Sequence, residues 1–98
     1  MEKNVNDMIE YPEEGIASKS LAKNAKIDIG LYCMAAGTEM SEHSSSKAGF
    51  VYVIDGKGIF KIDGKKIKML PGIFFFMREN AIHSLKAEED TSFILGLL

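Results

Sequence analysis

Three glycine-containing turn signals divide the middle of this chain into short β-favouring runs. Asp55-Gly56 and Asp63-Gly64 are strong turn signals, because aspartate and glycine both tolerate positive φ. Pro71-Gly72 marks a third break. The runs between these breaks are too short for typical helices, and several alternate apolar with polar residues, which is the period of a strand. The spacing predicts a meander of short strands.

The same pattern continues on both sides of these turns. Residues 26–34 alternate clearly, with Ile27, Ile29, Leu31 and Cys33 on one face. The run at 73–77 is the most apolar in the chain and is predicted to be a central strand. Further strands are expected at 50–54, 81–87 and 91–98. Seven or eight short strands with tight turns predict an all-β sandwich or barrel.

Length and composition limit the functional classes. A chain of 98 residues is one domain, and its 46% hydrophobic content is enough to build a core. The formal net charge of −2 argues against a nucleic-acid binder. No apolar run reaches the roughly 20 residues of a membrane helix. The local excess of positive charge is interpreted as a solvated face, formed by Lys57, Lys61, Lys65, Lys66 and Lys68.

The ends of the chain and its cysteine usage suggest a compartment. Cys33 is the single cysteine, which fits a packed thiol in a reducing environment better than a disulfide framework. Residues 1–14 are acidic and lack the apolar segment of a secretory signal, so a cytoplasmic location is expected. These residues form either a mobile acidic arm or a strand exchanged with a neighbouring subunit, and residues 15–98 form the barrel.

The region from Gly37 to Ala87 resembles the two signature motifs of the cupin superfamily. In the first motif a glycine is followed by five residues, His-x-His, three or four residues, a glutamate, six residues and a final glycine. Gly37, His43 and Gly56 keep this spacing. Ser45 stands in place of the second histidine, and Gly49 stands in place of the glutamate.

The second motif is also only partly kept. It usually has a glycine, five residues, Pro-x-Gly, two residues, a histidine, three residues and an asparagine. Gly72 and His83 match, whereas Arg78, Asn80 and Ala87 replace the other three signature residues. The resemblance implies a small single-domain cupin, a double-stranded β-helix or jelly-roll barrel, with half of the usual metal-ligand set.

The resemblance implies that His43 and His83, the only two histidines, point into the barrel lumen. Imidazole is a common ligand of Zn, Fe, Mn or Ni, yet stable sites usually have three or more protein ligands. If residues 39–45 form an unbroken strand, Glu39 shares the face of His43 and is the best candidate for a third ligand. The lumen is expected to be roomy and apolar, with small-molecule-binding positions at Ser45, Gly49, Val51, Val53 and Leu85.

Three functions remain open at this point. The first is a ligand-binding cupin that holds a small molecule in the lumen, with or without a divalent metal on the two histidines. The second is a metal-dependent isomerase, decarboxylase or dioxygenase acting on a small acid or sugar. The third is an interaction protein that works through its acidic arm. A homodimer is expected, with Phe50, Tyr52 and Ile54 facing outward to supply the interface.

Overall fold

The computed structural model describes all 98 residues and contains nine strands in two antiparallel sheets. No helix in it is long and apolar enough to cross a membrane. Sheet A has the order β1-β2-β9-β4-β7, and sheet B has the order β3-β8-β5-β6. The strands are β1 (Ile16–Lys23), β2 (Asp28–Met34), β3 (Glu39–His43), β4 (Gly49–Asp55), β5 (Gly58–Ile62), β6 (Lys65–Met69), β7 (Phe74–Met77), β8 (His83–Ala87) and β9 (Thr91–Leu97).

The core lies between the inner faces of the two sheets. Alternation along each strand sends every second side chain inward, so β4 contributes Val51 and Val53 while Tyr52 points out. Phe60 of β5 and Phe93 of β9 are among the largest fully buried side chains of this core. This two-layer arrangement confirms the predicted all-β jelly-roll class.

The predicted turns form, but only one of them closes a hairpin. Asp63-Gly64 joins β5 to β6, which pair with each other, and both turn residues have positive φ. Asp55-Gly56 instead carries the chain from sheet A to sheet B, and Pro71-Gly72 carries it back. The predicted meander is therefore wrong. A local turn signal marks a reversal of the chain, whereas burial in the core decides which sheet the next strand joins.

Two strand predictions also need correction. The ninth strand, β1, was not expected as a distinct element, because its sequence is rich in small and polar residues and alternates weakly. The apolar run at 73–77 contains β7, which is an edge strand and not a central one. Phe75 and Met77 face the core, while Phe74 and Phe76 are 61% and 58% exposed on the outer face.

The N-terminal segment lies against the outer face of sheet A. Val5–Met8 forms a single turn of 3-10 helix. Lys19 of β1 donates from Nζ to the Met8 carbonyl, and farther along Tyr11 donates its hydroxyl to Ser92 Oγ at 3.1 Å. Ser92 lies opposite Cys33 across β2 and β9, and the Cys33 thiol is only 3% exposed, as a packed side chain should be. Exchange of residues 1–14 between subunits stays a prediction.

Candidate functional site

The two histidines face each other across neighbouring strands of sheet B. His43 ends β3, His83 begins β8, and the two are directly paired in the ladder. Their ring centroids are 4.1 Å apart with an interplanar angle of 66°. Residues that are forty positions apart in sequence thus form one polar unit at the end of the barrel interior, as their placement in the motifs predicted.

A cavity of about 160 Å³ opens beside this pair. Apart from Tyr32, which adds a phenol to the wall, its polar side chains are His43, Ser45 and His83, and its remaining walls come from the inner faces of both sheets. The cavity is therefore an apolar chamber with one polar end. The other lining residues are Tyr32, Met40, Phe60, Met77, Leu85, Phe93, Leu95 and Leu97.

Backbone carbonyls define the tautomer of both rings. His43 Nδ1 lies 2.8 Å from the Ser41 carbonyl oxygen, and His83 Nδ1 lies 3.0 Å from the Ala81 carbonyl oxygen. A carbonyl oxygen only accepts, so each Nδ1 carries the proton and donates it. In the neutral rings each Nε2 then keeps its lone pair, which is the form that accepts a hydrogen bond or binds a metal.

The two rings differ in their environment. His43 is exposed, whereas His83 is 6% exposed and stacks on Phe60 at a centroid distance of 5.7 Å. Burial lowers the pKa of His83 because it disfavours the imidazolium. The Ala81 carbonyl opposes this shift, and the nearby His43 adds to the lowering of the pKa. Burial therefore favours the neutral form of the His83 ring.

Stability should fall with acid through His83. Its pKa is lowered in the folded chain, so below the ordinary value of 6.5 the unfolded chain binds a proton that the folded chain does not. The free energy of unfolding should therefore decrease as pH falls from about 6.5 toward the lowered pKa. Urea unfolding of the wild type and of His83→Gln over this range measures the effect, with a shallower dependence expected in the variant. Equal slopes in both proteins contradict the prediction.

Glu39 does not join the histidines, so its expected place as a third ligand on the face of His43 is wrong. The pairing of β3 with β8 shifts register between Met40 and His43. This irregularity changes the alternation, so Met40 and His43 both face the cavity although three positions separate them. Glu39 lies on the outer face, 3.3 Å from Lys86 Nζ in an exposed ion pair.

The larger groove of the molecule is on that outer face and is separate from the histidines. It encloses about 400 Å³ along β3, β8, β5 and β6, and its charged lining includes Glu39, Glu42 and Lys61. Such side chains are a solvated surface, as the lysine pattern predicted. We place the candidate site in the smaller lumen because both imidazoles and the apolar walls meet there.

Two of the five predicted ligand-binding positions line the cavity. Ser45 and Leu85 do so. Val51 and Val53 point inward but are 0% exposed within the packed core. Gly49 leaves no open space, because a Cβ built there would meet the Gly96 carbonyl oxygen at 2.6 Å and Leu97 Cδ2 at 3.1 Å. Glycine at this motif position therefore leaves no empty volume, because the neighbouring strand β9 occupies the space beside it.

The cavity wall supplied by sheet A was missed from the sequence. Tyr32 of β2 stacks on Phe93 of β9 at a centroid distance of 5.5 Å, and Leu95 and Leu97 continue the same face of β9. A period of two along 91–97 gave the signal for a shared face. The position of this face opposite the histidines depends on the pairing of β2 with β9. The two strands are distant in sequence, so local patterns do not predict their pairing.

The donor set falls short of a complete metal site. No group of three or more histidine, cysteine, aspartate or glutamate side chains is close enough to hold an ion. The two imidazole Nε2 atoms fit as two ligands, and stable zinc sites usually have at least three protein ligands. The four-ligand metal centre implied by the motifs therefore does not fit this chain, and binding of Zn, Fe, Mn or Ni at the histidine pair stays a prediction.

Fold and site together define a single-domain jelly-roll barrel with a small ligand-sized chamber between its sheets. Residues 30–97 match the family described as the Cupin domain. This match covers more than half of the chain, and the protein belongs to the cupin family. No curated protein matches the sequence significantly.

Solved structures agree with this assignment. A conserved protein of unknown function from Streptococcus pyogenes has a TM-score of 0.89 at 19% identity, covering 100% of this chain and 86% of its own. A Cupin 2 conserved barrel domain protein from Leptotrichia buccalis has a TM-score of 0.90 at 27% identity, covering 98% of this chain and 47% of its own. Salicylate 1,2-dioxygenase from Pseudaminobacter salicylatoxidans has a TM-score of 0.78 at 19% identity, covering 85% of this chain and 26% of its own.

Proposed function

We propose that this protein binds a small, mostly apolar molecule in the lumen of its barrel. The observation that carries the proposal is the chamber itself, about 160 Å³ with apolar walls and three polar side chains gathered at one end. Binding pockets for small molecules typically combine a hydrophobic lining with a few polar groups that fix orientation. His43, Ser45 and His83 supply those groups.

The size of the chamber limits the ligand. An apolar protein cavity of about 150 Å³ holds a molecule the size of benzene. A ligand of roughly six to ten non-hydrogen atoms therefore fits, in the range of a substituted ring or a short branched chain. Its polar end should carry a hydroxyl or a protonated carboxyl, since each neutral Nε2 offers an acceptor.

A ligand screen by thermal shift tests this proposal on metal-free protein. Benzoic acid, isovaleric acid and phenol are suitable probes, with toluene as the apolar comparison. At about 100 times its Kd a ligand stabilises the folded state by about 2.7 kcal/mol, which raises Tm measurably. The increase should disappear in His83→Ala. Ser84→Ala is the matched control, because Ser84 is the next residue of β8 and faces the outer groove.

Two results would count against the proposal. One is an unchanged Tm with every acid, alcohol and hydrocarbon probe of this size. The other is an equal increase in the wild type and in His83→Ala, which would place binding outside the lumen.

A metal-dependent enzyme is the alternative. The observation that favours it is that both imidazoles have free Nε2 lone pairs beside the same chamber. A divalent ion there would act as a Lewis acid on a bound small acid or sugar, in isomerase, decarboxylase or dioxygenase chemistry. Metal analysis after reconstitution distinguishes the alternatives. Near-stoichiometric metal, lost in both His43→Ala and His83→Ala, supports the enzyme, whereas protein that stays metal-free excludes it.

We also propose that a second copy covers the exposed aromatic face of sheet A. Tyr52 faces outward as the sequence predicted, and Phe50 stacks on Phe74 at a centroid distance of 5.9 Å beside the exposed Phe76. Contiguous exposed apolar surface of this kind marks interaction sites. The face continues across β4 and β7 to the β7 edge.

The dimer is tested by sedimentation. We expect the wild type to sediment as a dimer, and Phe74→Glu with Phe76→Glu to shift it to a monomer because two charges would be buried in the interface. Ile82→Glu is the control, since Ile82 is an exposed apolar side chain outside this face. A wild-type monomer at high concentration contradicts the prediction.

A further inference from the structure

Asp63, in the turn between β5 and β6, contacts the segment that immediately precedes His83. Its backbone amide donates to the Ile82 carbonyl at 2.8 Å. This bond continues the β5–β8 ladder by one residue beyond the pair formed by Ile62 and His83. The hairpin turn is therefore connected directly to the start of the strand that carries the buried histidine.

The Asp63 side chain replaces a backbone acceptor at this point. In a regular hydrogen-bonded antiparallel pair the two residues exchange both N–H···O bonds, so the Ile82 amide would donate to the Asp63 carbonyl. Asp63 has φ of +48° as the chain turns toward β6, and the bond to its carbonyl is not made. The Ile82 amide donates instead to Asp63 Oδ1 at 3.0 Å. Aspartate suits this position because it tolerates positive φ and bonds to the backbone locally.

The second carboxylate oxygen holds the other end of the same segment. Asp63 Oδ2 lies 3.0 Å from Arg78 Nη2, and Arg78 Nη1 donates to the Glu79 carbonyl at 2.8 Å. Both members of the ion pair are well exposed, and exposed pairs contribute little on their own. The bond from the Ile82 amide to Asp63 Oδ1 is also at the surface, but it acts directly on the backbone of residues 78–82, whereas the ion pair acts through the long Arg78 side chain.

The carbonyl of Ala81 lies between these two anchors and accepts the Nδ1 proton of His83 at 3.0 Å. On the far side of the segment, the Asn80 amide donates to the Ser45 carbonyl at 2.8 Å. The segment thus links the backbone of two residues that line the polar end of the chamber. Its conformation decides whether an acceptor faces His83 Nδ1, and hence which ring nitrogen carries the proton.

We infer that Asp63 is a positioning residue for the site: through residues 78–82 it holds the Ala81 carbonyl against His83 and keeps the His83 Nε2 lone pair available to the chamber. The use of that lone pair to hold a ligand rests on the proposed function. The positioning itself depends only on the hydrogen bonds of the free protein. Arg78 is a lesser part of the same arrangement.

The test is the tautomer of His83, read from long-range ¹H–¹⁵N correlation spectra of ¹⁵N-histidine-labelled protein at about pH 8, where histidine is neutral. Asp63→Gly removes the carboxylate, and glycine adopts the positive φ without strain. Asp63→Asn keeps a side-chain oxygen that accepts from Ile82. Arg78→Gln removes the ion pair and the bond from Arg78 Nη1 to the Glu79 carbonyl, and it leaves the backbone bonds of the turn in place.

The wild type, Asp63→Asn and Arg78→Gln should each show a single His83 tautomer with the proton on Nδ1. Asp63→Gly should lose that single signature, with the two ring ¹⁵N shifts moving toward each other as the Nε2–H form appears. His43 is an internal control, because its Nδ1 donates to the Ser41 carbonyl and should not change.

A single Nδ1–H tautomer in folded Asp63→Gly overturns the inference, and so does a loss of the signature in Arg78→Gln. Because no ligand or metal enters the measurement, a failed ligand screen leaves this result standing. A retained tautomer in Asp63→Gly likewise leaves the proposed function untouched.

Discussion

Gly56→Ala should destabilise the fold by about 3 kcal/mol or more, a large part of the 5–15 kcal/mol typical of a domain. Gly56 has φ of +107°, which an L side chain rarely adopts. A Cβ built there would lie 2.5 Å from Thr91 Cα and closer still to the Asp90 carbonyl oxygen. Thr91 is fully buried and accepts a hydrogen bond from the Lys57 amide, so this neighbour cannot move aside cheaply.

Gly64→Ala separates the cost of a positive φ from the cost of steric overlap in the prediction for Gly56. Gly64 has φ of +85°, but nothing lies within 4 Å of a Cβ built on it. Its substitution should therefore cost only the backbone strain, on the order of 1–2 kcal/mol. Urea unfolding of both variants gives the comparison. Equal losses of stability would show that the close approach of Gly56 to residues 90 and 91 does not matter.

Phe60→Ala should reduce the free energy of unfolding by about 3–5 kcal/mol, the usual range for a fully buried phenylalanine. Phe60 is 0% exposed and packs against Phe75 at a centroid distance of 4.8 Å. It also lines the chamber and stacks on His83. Its removal would therefore enlarge the chamber as well as weaken the core, so the variant should accept larger ligands while melting at a lower temperature.

Ile59→Ala is the matched control for the core substitution. Ile59 is the preceding residue of β5 and borders the outer groove. Its truncation should cost much less than that of Phe60, because the side chain already contacts solvent on the open face. Thermal unfolding with and without ligand measures both effects. A Phe60→Ala protein as stable as Ile59→Ala would contradict the assignment of Phe60 to the centre of the core.

The individual strands and turns of this fold are easier to predict from the sequence than the order in which the strands pair. Val51 and Val53 of β4 were expected to face inward, and the structure confirms that both do. The placement of β7 at an edge was not predictable from its apolar composition. A run of four residues rich in phenylalanine suits a strand covered on both faces or an edge strand facing a partner, and only the sheet order distinguishes the two.

The candidate site shows the same division. The histidine pair followed from motif spacing, because both residues keep their positions relative to Gly37 and Gly72. Glu39 was a wrong choice of ligand because the alternation of β3 is broken by a register shift before His43. No turn residue in the sequence marks that shift. The apolar wall from β2 and β9 depends on a contact between distant segments. Patterns within a single segment of the sequence do not predict that contact.

The buried thiol of Cys33 can be used to measure local opening of the structure. Cys33 is the single cysteine, and it lies on the outer face of sheet A opposite Ser92, to which Tyr11 is hydrogen-bonded. A thiol reagent can modify it only while the N-terminal segment is lifted or the sheet is open. The labelling rate under native conditions therefore measures how often that segment detaches, and comparison with global unfolding shows whether the segment and the barrel open as one cooperative unit.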